Sequence, residues 1–179
     1  DSSTSRGLGD VYKRQMGQSS DYPCSFHTHL LHSKNPVIIN ELMSKNNNYI
    51  LDQNGDDSDW IELYNPTGTN QDLINIYISD KSSIPGLYHL KDLTIPANGH
   101  LMLWASSDTS QYDNHLPFKL SGNGETVMLY SKEINGSFVT IDEIKFPSAG
   151  ADQSFGRKYD GSAQWVTFKD YPTPNSNNS

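Results

Sequence analysis

The segment at residues 59–66, Asp-Trp-Ile-Glu-Leu-Tyr-Asn-Pro, limits the folds open to this chain more than any other segment. Side chains alternate between the two faces of a β-strand, so Ile61 and Leu63 share one face. Trp60 and Glu62 then lie on the opposite face. The final Asn-Pro pair ends the strand, because proline has no amide hydrogen to donate to a neighbour. The segment therefore predicts a strand with one apolar face and one amphipathic face.

Short apolar runs, separated by Gly, Pro, Asn and Asp, follow one another from residue 37 onward. They predict about nine strands, at residues 37–43, 59–65, 72–79, 89–95, 99–105, 124–131, 138–146, 153–159 and 164–168. No window carries a sustained helical stripe, which disfavours α/β folds with crossover helices. The pattern predicts an all-β protein, an antiparallel sandwich or barrel.

This body spans residues 36–174, and we expect a disordered tail on each side of it. Residues 1–35 show no strand or helix periodicity, and residues 1–15 resemble translated sequencing-adapter DNA at the ends of metagenome-derived proteins. The tail is therefore expected to be disordered or artefactual, and the chain a fragment of a longer protein. Residues 175–179 follow a Pro-Thr-Pro segment and are expected to form a linker.

Composition excludes several classes of partner. The net charge of −8 argues against nucleic acid, since phosphate recognition needs clustered Lys and Arg. No segment approaches the roughly 20 apolar residues of a membrane span, so no membrane insertion is expected. Cys24 is the single cysteine, which rules out an internal disulfide. His27, His29 and His32 have a spacing that could touch a metal ion, but an extended linker is the favoured interpretation.

Nine short motifs occur in a fixed order along the body. They are Ile-Asn-Glu at 39–41, the block at 59–66, Ile-Ser-Asp at 78–80, Ile-Pro-Ala-Asn-Gly-His at 95–100, Phe-Lys-Leu-Ser at 118–121, Gly-Glu-Thr at 124–126, Asp-Glu-Ile-Lys-Phe-Pro at 142–147, Ser-Phe-Gly-Arg at 154–157 and Pro-Thr-Pro-Asn at 172–175. Together they resemble the lamin tail domain in its bacterial form, over residues 37–175. The resemblance implies an immunoglobulin-like β-sandwich. It does not imply nuclear-envelope assembly, since the heptad rod of a lamin is missing.

In bacteria the resemblance implies a non-catalytic module, a binding or spacer domain of a secreted or surface protein. Its partner would be another protein or a cell-surface polymer, with neighbouring domains in the same chain. No cofactor is expected apart from a possible Ca²⁺. The alternative is an accessory domain of a truncated enzyme, whose CotH-type kinase, nuclease or phosphoesterase domain lies outside this fragment.

The loop at residues 52–59 is the strongest candidate for a metal-binding site. Its candidate calcium ligands are Asp52, Asn54, Asp56, Asp57 and Asp59. Ca²⁺ prefers six to eight oxygen ligands, which such a loop could supply in part. The loop is not an EF-hand. Counted from Asp52, Gly55 is the fourth residue, whereas an EF-hand needs glycine at the sixth, and Leu63 occupies the twelfth position, where an EF-hand has glutamate. The favoured interpretation is a solvated Asn-Gly turn that leads into the next strand.

Two glutamates could be proposed as an acid/base pair for glycoside hydrolysis, Glu41 and Glu62. The sequence gives no distance between them. The favoured interpretation is structural, with Glu62 exposed or paired to Arg157 or a lysine across the sheet. Asn40 is predicted to share the face of Leu42, where its amide would need backbone partners.

Five aromatic side chains could line a sugar- or peptide-binding platform: Trp60, Tyr64, Tyr77, Trp104 and Trp165. Trp104 follows an apolar run and is predicted to be buried. Trp60 and Tyr64 are expected to be half-exposed. The favoured interpretation is sandwich packing with cross-strand aromatic pairs.

Overall fold

The computed structural model describes residues 36–178. The predictions for the tail at residues 1–35, its three histidines included, lie outside the described residues. The described residues form no helix, so none of them belongs to a helix long and apolar enough to span a membrane.

The secondary structure consists of short strands separated by turns. The strands are β1 (Ile38–Met43), β2 (Asp59–Tyr64), β3 (Gln71–Asp72), β4 (Ile76–Ser79), β5 (Tyr88–His89), β6 (Thr94–Ile95), β7 (His100–Ala105), β8 (Thr126–Lys132), β9 (Phe138–Lys145), β10 (Ser154–Arg157) and β11 (Trp165–Phe168). All of the strand pairs are antiparallel, so the predicted all-β antiparallel class is confirmed.

Two main sheets pack face to face. One has five strands in the order β11-β10-β1-β2-β7, and the other has four in the order β5-β4-β8-β9. Strands β3 and β6 form a separate two-stranded pair. The arrangement is the predicted immunoglobulin-like sandwich.

The core lies between the two sheets and takes apolar side chains from both. Ile61 and Leu63 of β2 are fully buried there, together with Ile78 of β4 and Leu129 of β8. The face predicted to be internal from the alternation in β2 is therefore correct. Each such side chain contributes about 1.5–3 kcal/mol through removal of apolar surface from water.

Two predicted strands are each divided in the structure. The run at residues 72–79 is interrupted by a turn in which the Ile76 amide donates to the Leu73 carbonyl at 2.9 Å. The run at residues 89–95 is likewise divided between β5 and β6. Both divisions let the chain move between sheets, which alternation within one run cannot indicate.

The prediction of a linker after residue 174 is wrong for residues 175–178. Residues 172–178, here called the strap, lie against the outer face of the five-stranded sheet. Asn178 is buried with 4% of its surface exposed, and its side chain donates to the Arg157 carbonyl at 2.5 Å. The strap is polar and rich in proline, as linkers are, so composition alone does not reveal its buried partners.

Candidate functional site

The site begins with a β-bulge in β1. The register between β1 and β2 shifts between Ile39 and Glu41, so Asn40 is the extra residue. Ile39 and Leu42 both point into the core, and the two residues between them bond to groups on the outer face of the sheet. The prediction that Asn40 shares the face of Leu42 is therefore wrong, because it assumed unbroken alternation.

Side chains complete the hydrogen bonds that the bulge leaves open. The Ile39 amide donates to Asp142 Oδ2 at 2.8 Å, and Arg157 Nε donates to the Ile39 carbonyl at 2.7 Å. Arg157 Nη2 and Asp142 Oδ2 are 3.0 Å apart, and both side chains are mostly buried. The Asp142–Arg157 pair thus ties β9 of one sheet to β1 and β10 of the other.

The bulge brings the two candidate glutamates together. Glu41 and Glu62 are direct cross-strand partners, so their side chains leave the same face of the sheet. Both residues are 0% exposed. Glu62 accepts from Asn40 Nδ2 at 3.0 Å and does not contact Arg157 or a lysine, so the expectation of an exposed or salt-bridged Glu62 is wrong.

The strap covers both carboxyl groups. The Thr173 hydroxyl donates to Glu41 Oε2 at 2.7 Å, and its amide donates to Oε1 at 3.1 Å. The Asn175 amide donates to Glu62 Oε2 at 2.5 Å. From the neighbouring strand β10, the buried Ser154 hydroxyl donates to Glu41 through a short hydrogen bond.

Two further ionisable side chains complete this buried network. Asp160, in the turn after β10, accepts from Asn40 Nδ2 at 2.9 Å and from the Asn178 amide at 3.0 Å. His100 Nε2 lies 3.3 Å from Asp160 Oδ2 and 3.9 Å from Glu62 Oε1. That nitrogen is buried and makes no hydrogen bond.

Burial dominates the ionisation of the glutamates. It raises the pKa of Glu62 to about 8, against the opposing hydrogen bonds from Asn40 and Asn175 and with added repulsion from Glu41 and Asp160. Burial likewise raises the pKa of Glu41, although hydrogen bonds from Ser154 and Thr173 oppose the shift. Glu62 is therefore harder to ionise than a glutamate at the surface.

The five candidate aromatic side chains do not form one platform. Trp60 is fully buried and packs with Met43 and Trp104, so its predicted half-exposure is wrong and the burial of Trp104 is confirmed. Tyr77 stacks on His89 in the other sheet, with ring centroids 4.1 Å apart. The remaining two are separate from this cluster: Tyr64 lies beside His100, and Trp165 stacks on Phe155.

An open groove of about 410 Å³ runs beside β7 and adjoins the buried network. Its lining residues are Ile50, Leu51, Asp52, Gln53, His100, Leu101, Met102, Trp104, Asn114 and Asn175. His100 and Asn175 belong to the groove as well as to the network. The strap therefore forms part of the groove wall.

The acidic loop at residues 52–59 is organised by its own first aspartate. Asp52 Oδ1 accepts from the amides of Asn54 at 2.9 Å and Asp56 at 3.0 Å. Gly55 has φ of +86°, a conformation that favours glycine. These bonds are those of the Asn-Gly turn that the sequence favours.

The other loop candidates differ in their surroundings. Asp59 accepts from the Asn46 amide at 3.3 Å, and burial raises its pKa. Asp56 and Asp57 are exposed, and the Asn54 amide group donates to Gln111 through a short hydrogen bond. The structure thus brings the five candidates into one loop, with Asp52 and Asp59 already accepting hydrogen bonds from protein groups.

This loop borders a second cavity of about 410 Å³, here called the acidic cavity. Its lining residues are Asp56, Asp57, Ser58, Asp59, Ala105, Ser106, Asp108, Gln111 and Lys119. Among residues 36–178, no three His, Cys, Asp or Glu side chains form a group that could hold a metal ion. The calcium site stays a prediction.

Sequence reasoning missed His100, Asp160 and the strap as parts of one network. A signal was present for the strap, because its first four residues are among the nine ordered motifs. A motif that recurs with a domain is expected to pack within it. His100 also ends a motif, whereas nothing in the sequence near Asp160 distinguishes that residue.

The comparisons with known proteins support one family. A family model for the lamin tail domain matches residues 31–148, more than half of the 179 residues. Neither the curated proteins nor the solved structures gave a match. The matched range holds Glu41, Glu62 and His100 and ends before β10 and the strap. The chain belongs to the lamin tail domain family, a family of non-enzymatic immunoglobulin-like domains.

Proposed function

We propose that this chain is a non-catalytic binding module of an exported or surface bacterial protein, with a spacer as the simpler form of the same role. One observation carries the proposal. The two carboxyl groups suited to acid/base chemistry are fully buried beneath the strap, whereas loop side chains converge on the open acidic cavity. A buried carboxyl group cannot reach a substrate, while an open polar cavity can contact a partner.

The position of the acidic cavity suits a binding role. Asp59 begins β2 and its register partner Ala105 ends β7, so the loops before β2 and after β7 meet at one end of the sandwich. Loops at the end of a sandwich can vary while the sheets hold them in place. The partner that we propose is a cell-wall polymer.

Co-sedimentation with insoluble peptidoglycan tests this role. We expect the chain to pellet with the polymer and the double variant Asp57→Asn/Asp108→Asn to pellet several-fold less. Asp92→Asn is the matched control, since Asp92 is exposed and outside the cavity. Equal pelleting of all three proteins would exclude the cavity as the site. No pelleting of the wild-type chain would leave the spacer role.

Calcium binding by the acidic loop is part of the proposal. The exposed carboxylates of Asp56 and Asp57 support it, because they border the acidic cavity beside Asp108. A ligand that binds only the native state must raise the melting temperature. We expect the melting midpoint of the wild-type chain to be higher in millimolar Ca²⁺ than in EDTA. The Asp56→Asn/Asp57→Asn variant should lose this increase, and Asp92→Asn should keep it. An unchanged wild-type midpoint would exclude the site.

A further inference from the structure

The strap is held to the sandwich by carboxyl groups rather than by strand pairing. Its residues belong to no strand, and three of its amides donate to side chains. The acceptors are Glu41 for Thr173, Glu62 for Asn175 and Asp160 for Asn178. Beside the hydrogen bonds from Asn178 Nδ2 to the Arg157 carbonyl and from the Tyr49 hydroxyl to the Pro172 carbonyl, the attachment of the strap therefore depends on the state of three acids.

These acids face one another beneath the strap. Glu41 on β1 and Glu62 on β2 are register partners, and Asp160 shares the Asn40 amide group with Glu62. The other titratable groups around them are His100 on β7 and Tyr49 in the loop after β1, whose hydroxyl donates to the strap at Pro172. The strap itself has no charged side chain.

Among residues 36–178, the side chain that could bring positive charge within ion-pair distance of Glu62 and Asp160 is His100, and only when it is protonated. Across residues 36–178, no Lys or Arg nitrogen forms an ion pair with Glu41, Glu62 or Asp160. The guanidinium of Arg157 bonds to Asp142 and to backbone carbonyls instead. An uncompensated buried charge is strongly unfavourable, so ionisation of both glutamates favours access of water.

Two effects on the strap oppose each other as the glutamates ionise. An ionised carboxylate accepts hydrogen bonds from the strap amides more strongly, which favours the closed form. Desolvation and mutual repulsion favour an open form in which water reaches the acids. Glu41 and Glu62 are fully buried side by side without a Lys or Arg partner among the described residues, so desolvation and repulsion outweigh the hydrogen bonds when both ionise. The raised pKa values of both glutamates agree with this order.

We propose that the strap at residues 172–178 is a pH-dependent latch, closed over Glu41 and Glu62 when they are protonated and released when they ionise. Release also changes the groove beside β7, because Asn175 forms part of its wall. The latch would therefore couple pH to the shape of an open surface groove. This inference does not depend on the proposed binding role of the acidic cavity.

Hydrogen–deuterium exchange of the full chain tests the latch directly. Exchange of the strap amides is followed by mass spectrometry at pH 5.5 and pH 8.5, with labelling times rescaled for the intrinsic exchange rate. We expect strap protection to fall between pH 5.5 and pH 8.5 by at least tenfold more than the protection of the β2 and β7 amides, whose exchange follows the stability of the whole domain. Equal strap protection at both values would overturn the proposal. A parallel loss throughout the sandwich would also overturn it, since that is global unfolding.

Two variants identify the group that responds. Glu62→Gln cannot ionise, so its strap protection should change less between the two pH values than that of the wild-type chain. Glu143→Gln is the matched control, because Glu143 is exposed on β9 and should leave the response intact. If Glu62→Gln does not fold, Glu41→Gln serves the same purpose. A wild-type response in whichever of Glu62→Gln and Glu41→Gln folds would contradict control by the buried pair.

Discussion

At the scale of single residues, the burial of Glu41 depends on a glycine in the neighbouring strand. Gly156 of β10 is the register partner of Glu41. A Cβ atom at Gly156 would lie 2.8 Å from Glu41 Cγ and 3.0 Å from Phe168 Cε2. Both distances are shorter than carbon–carbon van der Waals contact. The small residue therefore makes room for a buried acid.

Gly156→Ala should destabilise the domain by about 1–3 kcal/mol, the range for an added methyl group in a packed interior. Urea unfolding monitored by tryptophan fluorescence measures the change. Gly68→Ala is the control, because a Cβ there meets nothing within 4 Å. We expect that control to change the free energy of unfolding by less than about 1 kcal/mol. Equal effects of the two substitutions would show that Glu41 can move aside.

The sequence predicted some residues of this site and not their arrangement. Glu41 and Glu62 were identifiable as paired acids, because both lie on predicted strands within ordered motifs. Their adjacency depends on an extra residue in β1, and a bulge leaves no mark in strict alternation. Their burial depends on the strap, a segment more than a hundred residues away in sequence. Contacts at such separations are set by tertiary packing.

At the scale of elements, the bulge in β1 is stabilised by the Asp142–Arg157 pair. Asp142 accepts from the Ile39 amide, and Arg157 donates to the Ile39 carbonyl. Because β9 supplies the aspartate and β10 the arginine, the pair spans both sheets. It satisfies backbone groups that would otherwise be unpaired in a mostly buried place.

Asp142→Ala should destabilise the domain by about 3 kcal/mol, because it leaves Arg157 uncompensated and removes the acceptor of the Ile39 amide. Chemical unfolding gives the value. Asp92→Ala removes an acid from an exposed pair with Lys91 and should change stability by less than about 0.5 kcal/mol. A loss for Asp142→Ala as small as that of the control would mean that the pair does not hold the bulge.

Element prediction from the sequence succeeded where one strand stays in one sheet. The alternation of residues 59–65 predicted β2 and its buried face correctly. It failed where a run changes sheets, as in residues 72–79, which form β3, a turn and β4. Apolar residues continue through the turn between β3 and β4, because Leu73 and Ile76 both enter the core.

At the scale of the whole molecule, the outer face of the five-stranded sheet is as buried as the inner face but chemically different. Met43, Trp60 and Trp104 form a small apolar cluster there, beside the polar network of Glu41 and Glu62. The strap covers this polar network. A polar network beneath a cover gives the molecule a pH dependence that its apolar core lacks.

The stability of the whole domain should therefore fall as pH rises from about 5 to above 8. The pKa of Glu62 is raised to about 8 in the folded protein from a value of 4.5. The folded state thus binds a proton that the unfolded state has released. This stabilising contribution is fully present below the unfolded pKa and is lost as pH rises through the folded pKa. The raised pKa of Glu41 acts in the same direction.

Thermal melts between pH 5 and pH 8.5 measure this dependence. One proton gives a slope of at most about 1.4 kcal/mol per pH unit in the free energy of unfolding. Glu62→Gln should flatten the slope, because the amide binds no proton in either state. Glu143→Gln makes the same chemical change at an exposed position, and it should keep the wild-type slope. If the two variants flatten the slope alike, the dependence comes from overall charge repulsion and not from the buried pair.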